Sequence, residues 1–318
     1  MPDIEVGENL DRFISWLLRT APGLFDAISE VMTSLVNAIT KALVGPPFAV
    51  WVVVFALAAV LVRGWAFGVF TVLAFVLVQS MELWQQTMET LGLVIVAGVI
   101  AAAIGVPLGV WAARRRTVRV VLRPVLDFMQ TTPVFVYLIP AVFFFGIGVV
   151  PGVVATTIFA IPPAVRLTDL GIRQVDPEVV EAAHAFGARP RQILREVQLP
   201  MATPSIMAGL NQVIMLALSM VVVAGLAGAA GLGAVVVTAV TQLDVAAGFE
   251  GGLAVVILAI FLDRLTATLA ERTNRGLWHK LIGRRRRKAR ALADERADTP
   301  RGSGGAERQD ESSVPVSG

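Results

Sequence analysis

Long apolar runs, separated by short polar or charged segments, make up most of this chain. A helix that crosses a bilayer needs about 20 predominantly apolar residues, with a lower limit near 17. The pattern therefore predicts an all-α integral membrane protein with about seven transmembrane helices. The runs that support this count are 48–62, 65–79, 91–113, 133–150, 152–165, 205–226 and 252–269.

The first two runs are shorter than the usual limit, and only Arg63 and Gly64 separate them. Residues 45–82 are therefore predicted to form a tight transmembrane hairpin. A second hairpin is predicted around Pro151, between the fourth and fifth runs, because proline lacks the N–H that continues a helix.

Residues 1–44 contain no apolar run of that length. Apolar residues recur there at helical spacing, charged residues fall between them, and Ala21-Pro22-Gly23 interrupts the pattern. This predicts an N-terminal segment of two amphipathic helices that lie on the outer membrane face or pack on the helix bundle.

The composition agrees with a membrane protein. Of the 318 residues, 56% are hydrophobic and 16% are charged, against about a quarter charged in a typical soluble domain. The chain contains no cysteine, which excludes disulfides and cysteine-ligated metal sites. The net charge of +3 does not indicate a nucleic-acid partner, because the basic residues lie beside apolar runs. Residues 271–318 are polar and basic without apolar periodicity, which predicts a disordered tail.

Arginine-rich segments follow several of the apolar runs. Such segments face the cytoplasm under the positive-inside rule, so we expect Arg115, Arg191 and Arg286 on the cytoplasmic side. An odd number of spans then places the N-terminus outside and the C-terminus in the cytoplasm. The lipid bilayer of the cytoplasmic membrane is accordingly the first predicted partner of this multi-pass chain.

One long polar segment, residues 176–200, lies between apolar runs. Asp176 is a good N-cap and Pro177 suits the first helical position, where its missing N–H costs nothing. Gly187 is predicted to end this helix in a left-handed conformation. A second short helix is predicted to begin at Pro190 and to stop at Leu199-Pro200.

Three features of this segment match the EAA loop of ABC importer permeases: Glu181-Ala182-Ala183, Gly187 and Leu199-Pro200. The resemblance implies a coupling element that docks into an ATPase subunit. Its residues would be Glu181, Ala182, Ala183, Gly187, Leu199 and Pro200. The residue pattern alone is equally consistent with an amphipathic loop helix on the membrane surface.

The resemblance extends over residues 83–270 to one subgroup, the permeases of glycine betaine/proline betaine ABC importers. It rests on segments such as Gln130-Thr131-Thr132-Pro133, Phe145-Gly146-Ile147-Gly148, Ile206-Met207-Ala208-Gly209 and Leu262-Asp263-Arg264. It implies the type I ABC importer permease fold and a quaternary ammonium substrate such as glycine betaine, proline betaine, choline or carnitine. It also implies three kinds of protein partner: two copies of an ATPase subunit, an extracytoplasmic substrate-binding protein, and a second permease copy.

Polar side chains at membrane depth are costly and therefore suggest function. Asn211, Met215 and Ser219 share one helical face, and methionine sulfur suits a weakly hydrated methylated ammonium group. The alternative for any single polar residue is interhelical hydrogen bonding. Asp263 and Arg264 are expected to pair with each other. The predicted translocation path consists of Gln130, Thr131, Thr132, Asn211, Gln212, Met215 and Ser219.

Catalytic chemistry is not indicated. The sequence contains no phosphate-binding Gly-x-x-x-x-Gly-Lys-Ser/Thr loop, so ATP hydrolysis is assigned to a partner chain. His184 and His279, the two histidines, are far apart, and no metal or cofactor is expected. Three alternatives remain: a permease for another amino-acid-like solute such as histidine, an ion-coupled secondary transporter, and a membrane scaffold. The secondary transporter would need inverted repeats and midplane ionisable residues, which the sequence does not display.

Overall fold

The computed structural model describes residues 6–268, and within that range the secondary structure is entirely helical. The predicted tail, 271–318, lies outside the described residues. The all-α prediction is confirmed for the described part. Its helices are α1 (Val6–Thr20), α2 (Pro22–Val44), α3 (Phe48–Arg63), α4 (Trp65–Ser80), α5 (Trp84–Arg114), α6 (Arg116–Thr131), α7 (Phe135–Phe145), α8 (Val149–Arg173), α9 (Pro177–Ala185), α10 (Pro190–Ser219), α11 (Val221–Leu226), α12 (Leu232–Gln242) and α13 (Val245–Thr268).

Five helices, α2, α5, α8, α10 and α13, are long and apolar enough to cross a membrane. The pair α6 and α7, bent by 90°, raises the number to six if the pair is one span. The predicted count of about seven is therefore not confirmed, and the outward N-terminus that depended on it stays a prediction. The difference has two sources: α3 and α4 are only 16 residues each, while α2 is longer and more apolar than expected.

The hairpin predicted around Pro151 is wrong. Helix α8 runs without interruption from Val149 to Arg173, and Pro151 lies in its first turn. A proline is tolerated there because the first N–H groups of a helix have no intrahelical partner. The chain reverses instead just before α8, where Gly146 and Gly148 have φ values of 74° and 154°. The run 205–226 is also broken, because α10 ends at Ser219 and α11 follows.

Helix α8 forms the centre of the bundle and packs against α5 at very close range. A β-carbon placed on Gly105 would lie 2.5 Å from the Ala164 β-carbon, and one on Gly109 would lie 2.6 Å from that of Thr168. Both contacts advance along the chain in the same direction, so α5 and α8 run parallel. Small residues permit this approach, which maximises van der Waals contact where lipid supplies no hydrophobic driving force.

Helix α2 lies across one end of this bundle. Thr40 packs on Gly92, near the start of α5. The Phe25 ring stacks on Phe144 with centroids 4.7 Å apart, in the last turn of α7 and close to where α8 begins. A helix running alongside α5 could not reach both places, because α5 and α8 begin at the same end of the bundle. The expected break at Ala21 and the expected packing of the N-terminal helices on the bundle are both found.

Helices α3 and α4 form the predicted hairpin, with Gly64 at its turn (φ 98°). The hairpin packs on α5 and α13 through aromatic rings. Phe55 lies 5.2 Å from Phe75 and 5.1 Å from Phe261, measured between ring centroids. Offset and edge-on aromatic pairs of this kind stabilise a core beyond their buried area.

The close contact between α5 and α8 yields a stability prediction. In Gly109→Ala the new methyl group would also lie 2.7 Å from the Val165 carbonyl oxygen, so the two helices must separate. Overpacking of this kind costs about 1–3 kcal/mol. We expect a lower melting temperature for the purified variant in detergent. Gly252→Ala is the matched control, because a β-carbon there meets nothing within 4 Å. Equal melting temperatures for the two variants would contradict the proposed role of the contact.

Candidate functional site

The segment after α8 begins as the sequence predicts. The Asp176 carboxylate accepts a hydrogen bond from the Glu178 N–H at 2.9 Å and caps α9, with Pro177 at the first helical position. The side chain satisfies one N–H group that the helix itself leaves unpaired. Helix α9 is therefore held at a defined position directly after the C-terminal end of α8.

The predicted left-handed conformation of Gly187 is confirmed, with φ at 77°. The Ala188 N–H donates to the Ala183 carbonyl at 3.1 Å, and the Gly187 N–H donates to the His184 carbonyl at 2.8 Å. These two bonds are the Schellman arrangement that closes a helix C-terminus. A β-carbon on Gly187 would meet nothing within 4 Å, so the backbone conformation and not space requires glycine here.

The prediction that Leu199-Pro200 ends a second short helix is wrong. Helix α10 begins at Pro190 and continues to Ser219, and residues 193–198 form a π-helical turn within it. The Leu199 N–H donates to the Leu194 carbonyl, five residues back. This wider turn accommodates Pro200, whose ring would otherwise clash with the carbonyl four residues earlier. The segment 176–200 is thus one short helix, a tight corner, and the first turns of a 30-residue helix.

The predicted coupling residues occupy two different environments. Glu181 and Ala182 are exposed, and Ala183 is half-buried, on α9. Leu199 and Pro200 are half-buried within α10. We name the α9 surface together with the corner at Gly187 the coupling corner.

Phe186 belongs to the coupling corner and was not among the predicted site residues. Its side chain is 91% exposed, immediately before Gly187. Single exposed aromatic residues occur on many proteins, but here the ring stands at the tip of a polar loop. Its position before the helix-ending glycine is the sequence signal that could have identified it. The coupling corner therefore carries a projecting apolar group as well as small residues.

A charge cluster joins the helix ends beside the coupling corner. Asp169 on α8 accepts hydrogen bonds from Arg119 of α6 and from Arg173, each at 3.0 Å. Arg119 also donates to the carbonyl of Ala112, in the last turn of α5, at 3.0 Å. Since the Asp169 carboxylate is largely buried, these charge-assisted bonds offset its desolvation. They tie α5, α6 and α8 together where the polar segment begins.

The predicted path residues on α10 divide into two sets. Gln212, Met215 and Ser219 are exposed and lie on one helical face, which we call the open face of α10. Asn211 turns instead toward α13, where its amide nitrogen donates to Asp263 at 3.1 Å and its amide oxygen accepts from Thr266. Asn211 thus makes the interhelical hydrogen bonds that were the alternative interpretation.

The expected pairing of Asp263 with Arg264 is not found: within residues 6–268 no salt bridge joins the two side chains. Asp263 accepts from Asn211 in its place. Adjacent residues on a helix point about 100° apart, so neighbours in sequence seldom face each other. Thr266, which completes this polar contact, was missed because a single threonine in an apolar run carries no distinguishing signal.

The remaining predicted path residues, Gln130, Thr131 and Thr132, lie at the 90° bend between α6 and α7. Within the described residues no hydrogen bond joins them to the open face of α10. Thr131 bonds to the Asp127 carbonyl of its own helix. The two regions are nevertheless neighbours, because residues of α6 and α10 share one apolar cluster. The open face has no covering element within this single chain.

Comparison with known proteins places these features in context. Residues 105–275 match the family described as binding-protein-dependent transport system inner membrane component. The glycine betaine transport system permease protein OpuAB of Bacillus subtilis is 47% identical over 85% of this chain and 95% of its own length. The glycine betaine/carnitine transport permease protein GbuB of Listeria monocytogenes is 50% identical over 79% of this chain and 93% of its own length.

Two further similarities point the same way. The glycine betaine/proline betaine transport system permease protein ProW of Escherichia coli is 47% identical over 80% of this chain and 72% of its own length. Among solved structures, the MetNI methionine ABC transporter in an inward-facing conformation aligns with a TM-score of 0.54 and 22% identity, over 61% of this chain and 97% of that chain. This structural similarity establishes the type I ABC permease fold and nothing more specific.

The interhelical contact of Asn211 yields the second prediction. Asn211→Ala removes the hydrogen-bond donor that Asp263 uses in a partly buried position, and lost bonds to charged groups cost about 1.5–3 kcal/mol. We expect a lower melting temperature in detergent. The control is Gln212→Ala, which changes the exposed neighbour on the same helix. If both variants melt alike, Asn211 does not join α10 to α13 in the way described.

Proposed function

The chain belongs to the family of binding-protein-dependent transport system inner membrane components, and from that membership we propose that it is the membrane-spanning permease subunit of an ATP-driven importer for glycine betaine or a related quaternary ammonium compound. The observation that carries the substrate class is the 47–50% identity to permeases named for glycine betaine, over 79–85% of the chain. Proline betaine, choline and carnitine belong to the same chemical class.

The subunit works with several partners in this proposal. Two copies of an ATPase subunit bind and hydrolyse ATP, because this sequence contains no phosphate-binding loop. An extracytoplasmic binding protein delivers the solute. A second permease copy completes the pathway as a homodimer. The open face of α10 supports this last point, since its polar side chains have no cover within one chain.

The coupling corner is the ATPase contact in this mechanism. Phe186 supplies an apolar group for a pocket of the ATPase, while Ala182 and Ala183 allow close approach of its surface. The corner is joined to α10 without a flexible linker, because Gly187 is fixed by two backbone hydrogen bonds. Movement of the corner is therefore transmitted to the helix that carries the substrate path.

Continuity of α10 determines how far such a movement reaches. Pro190 and Met215 lie on the same helix, and 25 residues at 1.5 Å each separate them by about 38 Å. A rigid rotation of α10 at the coupling corner thus reorients the open face. Gln212, Met215 and Ser219 on that face, with Gln130, Thr131 and Thr132 beside it, line the translocation path in this proposal. Asn211 borders the path and holds α10 to α13.

Solute uptake into reconstituted vesicles tests the proposal. The vesicles contain this chain with its ATPase and binding protein, and labelled glycine betaine, choline and histidine are offered separately. We expect accumulation of glycine betaine that requires ATP on the ATPase side. Accumulation driven by an ion gradient without ATP would establish the secondary-transporter alternative. ATP-dependent uptake of histidine but not of glycine betaine would overturn the substrate class alone, and ATPase stimulation without any uptake would favour a scaffold.

The left-handed corner provides the sharpest test of coupling. Gly187→Val forces a β-branched residue into a conformation that costs L-residues about 1–2 kcal/mol or more, so the native corner is depopulated about tenfold. We expect a comparable loss of uptake and of the ATPase stimulation produced by loaded binding protein. Gly187→Asn is the matched control, since asparagine tolerates this conformation and the added β-carbon meets no neighbour.

Three results of this experiment have distinct meanings. Loss in the valine variant with retention in the asparagine variant supports the corner as the coupling element. Wild-type stimulation in the valine variant would remove that role while leaving the transport proposal intact. Ala183→Trp supplies an independent check, because a large side chain at this half-buried position of α9 would hold the two subunits apart.

A further inference from the structure

A cleft of about 380 Å³ separates the α3–α4 hairpin from α13, and two arginines line it. Arg63 ends α3, and Arg264 comes from α13, about two hundred positions later in the chain. The other lining residues are Ala66, Phe67, Phe70 and Ile260, all of them apolar. The cleft therefore combines two cations with an apolar wall and contains no acidic side chain.

Neither guanidinium group has a partner within the chain. Among residues 6–268, no carboxylate and no hydrogen-bond acceptor contacts the Arg63 or Arg264 side chain. The arginines beside the coupling corner behave differently, since Arg119, Arg166 and Arg173 all pair with aspartates. Two like charges converging at the edge of a hydrocarbon layer repel each other and are poorly solvated. An anion between them would relieve both effects.

The depth of the cleft fits a phospholipid headgroup. The Phe48 ring contacts Trp84 at the start of α5 with centroids 4.8 Å apart, so α3 and α5 begin at the same level. Tryptophan is typical of the membrane interface. Sixteen residues of α3 extend about 24 Å from there, while the hydrocarbon layer is about 30 Å thick. Arg63 therefore ends just inside the opposite headgroup layer, within reach of a lipid phosphate.

The apolar wall fits the rest of such a lipid. Phe70 and Ile260 are partly exposed toward the outside of the bundle, directly beside the two arginines. Trp65, the residue that follows the hairpin turn, is also exposed at this level. A soluble phosphate would use only the two arginines, whereas a phospholipid would use both the cations and the apolar wall. The complete lining thus favours a lipid over a free anion.

We propose that this cleft is a binding site for one anionic phospholipid. Its phosphate bridges Arg63 and Arg264, and an acyl chain lies along Phe67, Phe70 and Ile260. The lipid joins the α3–α4 hairpin to α13 at the end of the bundle opposite Trp84. It belongs to the leaflet on the side of Arg114, toward which α5 runs from Trp84. This site is independent of the substrate and of the ATPase contact.

Native mass spectrometry of the full-length chain in detergent tests the site. The chain is titrated with phosphatidylglycerol, and separately with phosphatidylcholine, which carries no net charge. Inorganic phosphate and glycerol phosphate are added as competitors. We expect tighter binding of phosphatidylglycerol, weakened about fivefold by Arg63→Gln or by Arg264→Gln, because one basic residue near anionic lipid contributes about 1 kcal/mol. Arg115→Gln is the matched control: it removes one exposed charge outside the cleft.

Each outcome decides the question. Unchanged phosphatidylglycerol binding in the Arg63→Gln/Arg264→Gln double variant would overturn the site, as would equal binding of phosphatidylcholine. Full competition by glycerol phosphate would show an anion site that does not recognise lipid. If the glutamine variants do not fold, Arg63→Lys and Arg264→Lys keep the charge and should keep binding that weakens with added salt. Salt-independent binding in those variants would equally overturn the proposal.

Discussion

The close packing of α8 is the constraint on which the rest of the structure depends. Its neighbours approach through glycines on both sides: Gly105 and Gly109 of α5 lie against it, and its own Gly171 lies against Ser205 of α10. In lipid, where apolar side chains gain nothing by leaving their surroundings, such contact supplies the attraction between helices. Helices held this closely behave as one body. The position of the polar segment after α8 is therefore determined by the bundle and not by the loop alone.

That packing explains why the coupling corner can transmit a movement. Asp169 holds the inner ends of α5, α6 and α8 together through two arginines, so α9 starts from a fixed point. On its other side the corner continues directly into α10 through a π-helical turn. A π turn is a local widening at which a helix can change direction while keeping its backbone bonded. The corner thus has one fixed attachment and one adjustable attachment, which is the arrangement a coupling element needs.

Sequence reasoning predicted local features well and longer-range arrangements less well. The cap at Asp176 and the left-handed Gly187 depend on a few neighbouring residues, and both were identified correctly. Pro151 and Pro200 were each assigned to a chain break, yet both lie inside helices. A first turn that needs no N–H accommodates one of them, and a widened turn accommodates the other. Neither arrangement leaves a distinctive residue pattern.

The same limit applies to the site residues. Periodicity correctly placed Met215 and Ser219 on one open face, because helical spacing determines which residues share a face. It could not show that Asn211, on the edge of that face, bonds to Asp263 on a helix 52 positions later. Nor could it show that Arg63 and Arg264 converge, because the hairpin and α13 meet only in three dimensions. Pairings between distant helices depend on packing geometry that no single segment contains.

The charged residues at membrane depth follow one physical rule and arrive at two solutions. Asp169 is buried in protein, and its counter-charges come from the chain itself, at hydrogen-bond distance from Arg119 and Arg173. Arg63 and Arg264 lie at the lipid boundary, where the chain provides no carboxylate among the described residues. A carboxylate placed between them would pair the charges inside the protein and separate the cleft from the bilayer. Without it, the electrostatic requirement passes to the membrane, and the hairpin becomes attached to the bundle through lipid as well as through Phe55 and Phe261.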